Sequence, residues 1–358
     1  MTDDPTQAEE VLVRTEGALG HLTLNRPKAI NALTIGMIRT LAAALDAFER
    51  DPDVRVVAID GAGERGLCAG GDIVALHDSA KQGTDAAATF WREEYELNAR
   101  IASYPKPIVA LMDGVVMGGG IGLAGHASHR LATERLISAM PEVGIGFTPD
   151  VGGTWLLSRG DGELGTYLAL TGARLGAHDA IAAGLADRIV AAAALPTLLE
   201  ELRTGDVDGA IERAEDVEVE IKRGTLSQSR RWINQAFAHG TVEEIVADLR
   251  DRDEPDAQQA LAWMEGKSPT SLKVTLRALR RARELPSLEA ALDQEFRVST
   301  AFLSTPDFVE GIRAQVVDKD RNPQWSPATL DGVDDAELDR YFAPSPAGDL
   351  GLAQEASA

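Results

Sequence analysis

Two glycine-rich stretches and one acidic stretch hold most of the residues whose types and spacing can do chemistry. Met117-Gly118-Gly119-Gly120 lies between an apolar, strand-like run and Ile121-Gly122-Leu123-Ala124, which reads as the opening of a helix. Amides at a helix start lack partners within the helix, and glycines let a ligand reach them with no Cβ in the way. Cys68-Ala69-Gly70-Gly71-Asp72 has the same small-residue character after an earlier strand-like run. Together the two loops can converge N–H donors on a developing oxyanion. Taken singly, each is equally well read as a tight turn or a close packing point. The third stretch, Met140 to Gly153, carries Glu142 and Asp150 among Gly, Pro and apolar residues with no Lys or Arg nearby. Carboxylates in apolar surroundings titrate above their usual range and serve as acids or bases near neutrality. Gly and Pro interrupt the interval between them, so a loop must align them. The plainer reading has Asp150 capping a helix near Gly153 and Glu142 capping a turn.

Other patterns carry less. Gly120 to Gly125 matches the G-x-G-x-x-G dinucleotide fingerprint, with Glu142 about twenty residues on. That fingerprint normally follows the first strand of its domain, whereas a hairpin and a βα unit come first here. Arg92-Glu93-Glu94-Tyr95 reads by composition as a solvated helix face with one glutamate able to turn inward. Cys68 reads as a small buried hydrophobe without a partner histidine. His126 and His129 have ligand-like spacing but no third ligand, so no metal is expected. No G-x-S-x-G elbow occurs. Lys273, Arg277, Arg280, Arg281 and Arg283 crowd one helical stretch, and Arg26 and Lys28 follow the first hairpin. Either group suits a polyphosphate, and either can equally be a solvated face.

The elements that must position these residues follow from periodicity. Val11, Val13, Leu22 and Leu24 about a turn at Glu16-Gly17 predict a hairpin of half-buried strands. Thr34 is placed to cap a helix with an apolar face of Ile35, Ile38, Leu41, Leu45 and Phe48. Val54 to Ile59 and Ile108 to Met112 read as buried strands with a helix, Phe90 to Ser103, between them, which makes an α/β fold with parallel crossovers. Beyond about residue 200 the pattern turns helical, broken at Gly240-Thr241, Ser268-Pro269 and Leu285-Pro286. The expected organisation is a core over 1–200, a mostly helical region over 201–342 and a flexible tail over 343–358.

Bulk properties narrow the classes. At 358 residues, with 44% hydrophobic, the chain is long enough for about two packed units. A formal charge of −22, from 35 basic and 57 acidic residues, repels a phosphate backbone, so nucleic acid is not an expected partner. The acidic start, Met1 to Glu10, and the lack of a long apolar run predict no leader and no membrane partner. A single cysteine excludes an internal disulfide and fits a cytoplasmic setting.

Asn25-Arg26-Pro27, Asn31-Ala32-Leu33, Cys68-Ala69-Gly70-Gly71-Asp72 and Met117-Gly118-Gly119-Gly120 resemble the crotonase (enoyl-CoA hydratase/isomerase) superfamily. Arg92 to Asn98, Met140 to Gly153, Ser268 to Lys273 and Asp318-Lys319-Asp320 are similar to its hydrolase branch, which acts on short branched 3-hydroxyacyl-CoA thioesters. The likeness runs from about residue 11 to about 330. It implies a spiral of ββα units, an acyl-CoA substrate, and an oxyanion hole from the amides of Ala69 and Gly119. It further implies Glu142 as catalytic carboxylate and Asp150 as a second catalytic or orienting one, with Glu94, Gly118, Gly71 and Asp72 binding substrate. Arg26 and Lys28 become candidate coenzyme A contacts. No cofactor is expected beyond the coenzyme A of the substrate, and self-association is a possible property of the family. Hydratases of this superfamily use two glutamates, and the first falls at Gly122 here, which cannot handle a proton. Hydration, a non-catalytic CoA-binding protein and nicotinamide chemistry are the competing readings.

Overall fold

The computed structural model describes residues 9–221 and 224–355. The first eight residues of the acidic start and the last three of the tail lie outside the described residues. β1 (Val11–Glu16) pairs antiparallel with β2 (Leu19–Leu24), and β2 runs parallel to β3 (Val56–Gly61). Next in the same six-stranded sheet come β4 (Ile108–Met112), β6 (His129–Ala132) and β8 (Arg188–Ile189), all parallel. β2 is buried along its whole length rather than on one face. One face of this sheet packs on α1 (Ile35–Arg50), and the other, through Leu19, Val56, Ala58 and Val109, packs on Leu198, Leu202 and Ile211. Thr34 caps α1 as its spacing predicts, accepting the Met37 amide at 3.1 Å.

After β4 and again after β6 the chain enters a second, small sheet. β5 (Val115–Met117) follows β4, and β7 (Ile137–Ala139) follows β6 and pairs parallel with it. α4 (Gly119–Ala124) then leads back from β5, which gives the expected ββα winding. The loop after β3 joins the small sheet through a parallel bridge of Cys68 to Val116. The Cys68 amide donates to Val115 at 3.1 Å, and the Met117 amide to the Cys68 carbonyl at 3.0 Å. This register sets Gly70-Gly71 alongside Gly118-Gly119, and it is the reason two loops distant in sequence share one place. Asn31, fully buried, braces the same loop by donating to the carbonyls of Ala62 and Gly66 at 3.1 and 3.0 Å.

α2 (Ile73–Gln82) and α3 (Ala86–Ala102) close over this end of the sheets. The helical half does not stand apart. Its predicted breaks are caps: Thr241 forms a capping box with Glu244, and Ser268 accepts the Ser271 amide. The helices Pro269–Ala282, Leu288–Phe302 and Pro306–Ile312 pack back onto the site, with Phe302 and Phe308 against Phe147, which stacks on Trp91 at 5.2 Å. One apolar core runs from Val11 to Phe342. The segment from Ala343, whose composition promises little order, is tied down by charge. Arg297 pairs with Asp349 at 2.8 Å, and Arg92 donates to the carbonyls of Ala347, Gly348 and Asp349.

Because Asn31→Ala leaves the buried Gly66 carbonyl and the part-buried Ala62 carbonyl without this donor, it should lower unfolding free energy by roughly 2 kcal/mol. Urea denaturation followed by tryptophan fluorescence measures this.

Candidate active site

Glu94 comes from the middle of α3, Glu142 from the turn after β7, and Asp150 from the loop before α5 (Gly153–Arg159). All three line one cavity of about 470 Å³, together with Gly71, Gly118 and Gly119. Each is almost wholly buried, and among the described residues no cation pairs with any of them. Burial pushes Glu142 and Glu94 well above the ordinary carboxylate range, and the neighbouring Asp150 charge adds to the rise. Burial raises Asp150 too, to about 7, against the pull of the Tyr95 hydroxyl, which donates to it at 2.9 Å. Ser299 stands 2.8 Å behind Tyr95. One oxygen each of Glu94 and Glu142 is buried without a hydrogen-bond partner. Carboxylates so placed hold and release protons near neutrality, and their apparent pKa values belong to the group rather than to one residue.

The glycines beneath them fit no side chain. A Cβ on Gly119 would lie 2.5 Å from the Glu94 carboxylate, and one on Gly118, whose φ is +49°, would lie 3.2 Å from that of Glu142. The Gly119 amide opens α4 and so has no partner in the helix. The second free amide is not that of Ala69. Ala69 donates to the Ile30 carbonyl at 3.0 Å, because residues 68 to 72 run as a strand-like edge between Ile30-Leu33 and β5. Asp72 likewise donates to Leu33, at 2.8 Å. Gly71, between them, has no backbone acceptor, and a Cβ on Gly119 would lie only 3.4 Å from its nitrogen. The converging pair is therefore Gly71 and Gly119.

Other expectations move as well. Asp72 turns from the cavity onto Arg26, at 3.1 Å, and Arg26 also grips Glu10 and the Ala32 carbonyl, so neither reaches the hollow. Lys28 is exposed on a short turn away from it. The basic helix offers no polyphosphate patch: Lys273 pairs with Glu243, Arg277 with Asp335 and Asp339, Arg280 and Arg283 with Glu163, and Arg281 covers Phe342. The cavity takes its cations from elsewhere. Arg174 and Lys267 line it with no carboxylate partner among the described residues, and burial lowers the Lys267 pKa.

The glycines at 120, 122 and 125 serve packing rather than a dinucleotide. Added Cβ atoms would strike the Cys68 carbonyl at 2.5 Å, Val151 at 2.7 Å and Leu156 at 2.7 Å. Gly122 thus leaves no room for a second glutamate from α4. Cys68 is buried and its thiol is pushed up to about 12 by desolvation, so it is no nucleophile. His126 donates from Nε2 to the Val151 carbonyl at 2.8 Å, and burial lowers it to about 4, which keeps it neutral. Val151 itself is left-handed, with φ at +55°, a conformation that costs a β-branched residue about 1–3 kcal/mol. A larger hollow of about 730 Å³ lies beside α2 and the helix Pro306–Ile312. Its buried carboxylate, Asp307, is taken up by Ser268 and the Ser326 amide.

Strands passed alternately through a large and a small parallel sheet, with two free amides raised toward buried acids, define a crotonase-fold protein with an acyl-handling type of site. Residues 19–342 match the family model described as Enoyl-CoA hydratase/isomerase, and the chain belongs to that family. It is 43% identical over 353 residues to the mitochondrial 3-hydroxyisobutyryl-CoA hydrolase of Rattus norvegicus, covering 96% of this chain and 91% of the relative. The Homo sapiens protein of the same name is 40% identical, covering 98% and 92%. Among solved structures, a carnitinyl-CoA dehydratase from Mycobacterium thermoresistibile is 49% identical with a TM-score of 0.91, covering 95% of this chain and 98% of that one. An enoyl-CoA hydratase from Rhodobacter sphaeroides 2.4.1 is 43% identical with a TM-score of 0.89, covering 96% and 99%. No helix among the described residues is long and apolar enough to cross a membrane.

The raised Asp150 pKa fixes a sign for stability. Between the ordinary carboxylate range and about 7 the unfolded chain loses this proton while the folded one keeps it, so stability falls as pH rises through that window. Asp150→Asn, which cannot ionise, should therefore gain on the unaltered protein from pH 4 to pH 8. Urea midpoints measured across that range give the difference.

Proposed function

We propose that this chain hydrolyses the thioester of a short, branched 3-hydroxyacyl-CoA, 3-hydroxyisobutyryl-CoA above all, to 3-hydroxyisobutyrate and free CoA, a step of valine breakdown. The observation that carries the reading is the unpartnered Glu142 oxygen, buried in the cavity that the free amides of Gly71 and Gly119 also line. A thioester carbonyl oxygen held by both amides gains the charge of the tetrahedral intermediate there, and loss of one such donor costs about 10² to 10³ in rate. Glu142 takes a proton from water as the water oxygen adds to the carbonyl carbon. Collapse breaks the C–S bond, and the proton passes from Glu142 to the leaving sulfur. Direct attack by the Glu142 carboxylate, with an anhydride opened by water, meets the same balance.

Glu94, with one unpartnered oxygen over Gly119, and Asp150, held by Tyr95, are suited to accept the 3-hydroxyl of the substrate. Its absence leaves buried acceptors unpaired, so isobutyryl-CoA should turn over at least about 10²-fold more slowly. The place given to Arg26 and Lys28 passes to Arg174 and Lys267, the unpaired cations of the cavity, which favour the phosphates of coenzyme A. The proposal needs no cofactor. Hydration is the second reading, favoured by the names of the two solved relatives. Against it stands Gly122, where a Cβ would meet Val151 and Asn98, so that no second glutamate can come from α4 to partner Glu142.

Thiol release from 3-hydroxyisobutyryl-CoA tests both. Glu142→Gln should lower kcat by about 10² to 10⁴ and Asp150→Asn by a smaller factor, and unchanged rates in both would end the assignment. Loss of the enoyl chromophore of crotonyl-CoA without thiol release would establish the hydratase instead. Because Glu142 must be ionised to take the proton, and burial holds its pKa well above the ordinary carboxylate range, kcat should still be climbing with pH above that range. With the matching pantetheine thioester, which lacks the phosphates, Arg174→Ala and Lys267→Ala should leave KM unchanged while raising it for the CoA ester.

A further inference from the structure

A fourth buried carboxylate stands beside the site without lining it. Glu295, from the helix Leu288–Phe302, is 1% exposed and reaches back across the sequence to the turn that follows Asp150. One of its oxygens accepts the Gly152 amide at 2.6 Å. The other accepts the Thr154 amide at 2.8 Å and the Thr154 hydroxyl at 2.5 Å. Burial pushes it up to about 8 against the pull of these three donors, with the Asp150 charge adding to the rise. An ion-forming group kept at such a place invites a reason beyond packing.

The turn supplies one. Val151 is left-handed, and a β-branched residue does not hold that conformation unless its surroundings impose it. His126 fixes the carbonyl and Glu295 the amide of the peptide that joins Val151 to Gly152, and the Gly153 amide donates to the Asp150 carbonyl at 2.6 Å, so the peptides on both sides of the strained residue are held. Asp150 is the residue immediately before. Its direction toward Tyr95 and the cavity follows from the φ and ψ of this turn.

We infer that Glu295 is a positioning residue for Asp150, acting through its bonds to Gly152 and Thr154 to hold the strained Val151 turn in the conformation that aims the Asp150 carboxylate at substrate. The inference rests on the hydrolase reading for its kinetic readout and on the turn geometry for its structural one.

A double-mutant cycle with thiol release from 3-hydroxyisobutyryl-CoA tests it. Glu295→Gln keeps the volume but replaces one acceptor by a donor. It should lower kcat about 10- to 100-fold, as a misplacement of about an ångström does, with KM within about twofold. The double variant Glu295→Gln with Asp150→Asn should be no slower than Asp150→Asn alone. An unaltered kcat in Glu295→Gln, or losses that multiply in the double variant, would overturn the inference, since a merely structural role predicts independent effects. Thr154→Val, which removes a single bond to Glu295, serves the same cycle with a few-fold loss if the glutamine variant does not fold. Crystal structures of these variants give the arm that needs no activity: Val151 should leave the left-handed region and the Tyr95 bond to Asp150 should lengthen or break. An unmoved turn counts against Glu295, whereas absence of thiol release from the unaltered protein counts against the hydrolase reading alone.

Discussion

The parallel pairing of Cys68 with Val116 is the contact on which the site depends. A small sheet of two strands is a weak element by itself, yet it takes its third member from the loop after β3, and this sets the two glycine-bearing bends side by side. Backbone bonds, not side chains, decide the outcome. Pairing on either side uses up the amides of Cys68, Ala69 and Asp72 and leaves that of Gly71 unspent. An amide left without an acceptor inside a protein is a standing demand for one, and a ligand carbonyl meets it.

Against those donors the protein sets acids without counter-ions. Many carboxylates elsewhere in the chain meet arginines, as Glu163 does with Arg280 and Arg283, and Asp113 with Arg135. In the cavity the balance is struck differently: Glu94, Glu142 and Asp150 share a low-dielectric hollow with Tyr95, Trp91 and Phe147 about it, and desolvation and repulsion together raise their pKa values. The arrangement lowers stability in exchange for groups that exchange protons near neutrality, which is the usual relation between strain and function at such sites. The helical half completes it by folding over the same hollow, since Phe302 and Phe308 wall the aromatic cluster and Glu295 braces the acidic loop.

Much of this was legible in the residues because it is local. The α1 face, the Thr34, Thr241 and Ser268 caps and the buried β3 and β4 follow from periodicity and side-chain chemistry within a few positions. Glu142 and Asp150 stood out because no basic residue lies near them in sequence, and among the described residues none forms an ion pair with them in space. What failed to be legible depends on pairing across long intervals. Whether Ala69 or Gly71 offers the open amide is settled by Ile30 and Leu33. Whether Asp72 meets substrate is settled by Arg26. The basic helix looked like a phosphate site because its acidic partners are distant in sequence. Tyr95 and Glu295 gave no sign, sitting in helices whose patterns are ordinarily amphipathic.

The burial of Cys68 has a use at the bench. It is the one sulfhydryl of the polypeptide, it is sealed within the core, and its proton is held far too tightly for thiolate to form at neutral pH. Aromatic disulfide dyes that turn yellow on meeting free mercaptans should pass the folded enzyme by and colour only with liberated coenzyme, so that turnover can be watched continuously against a dark background, and a slow bloom of colour without substrate would report the protein coming undone.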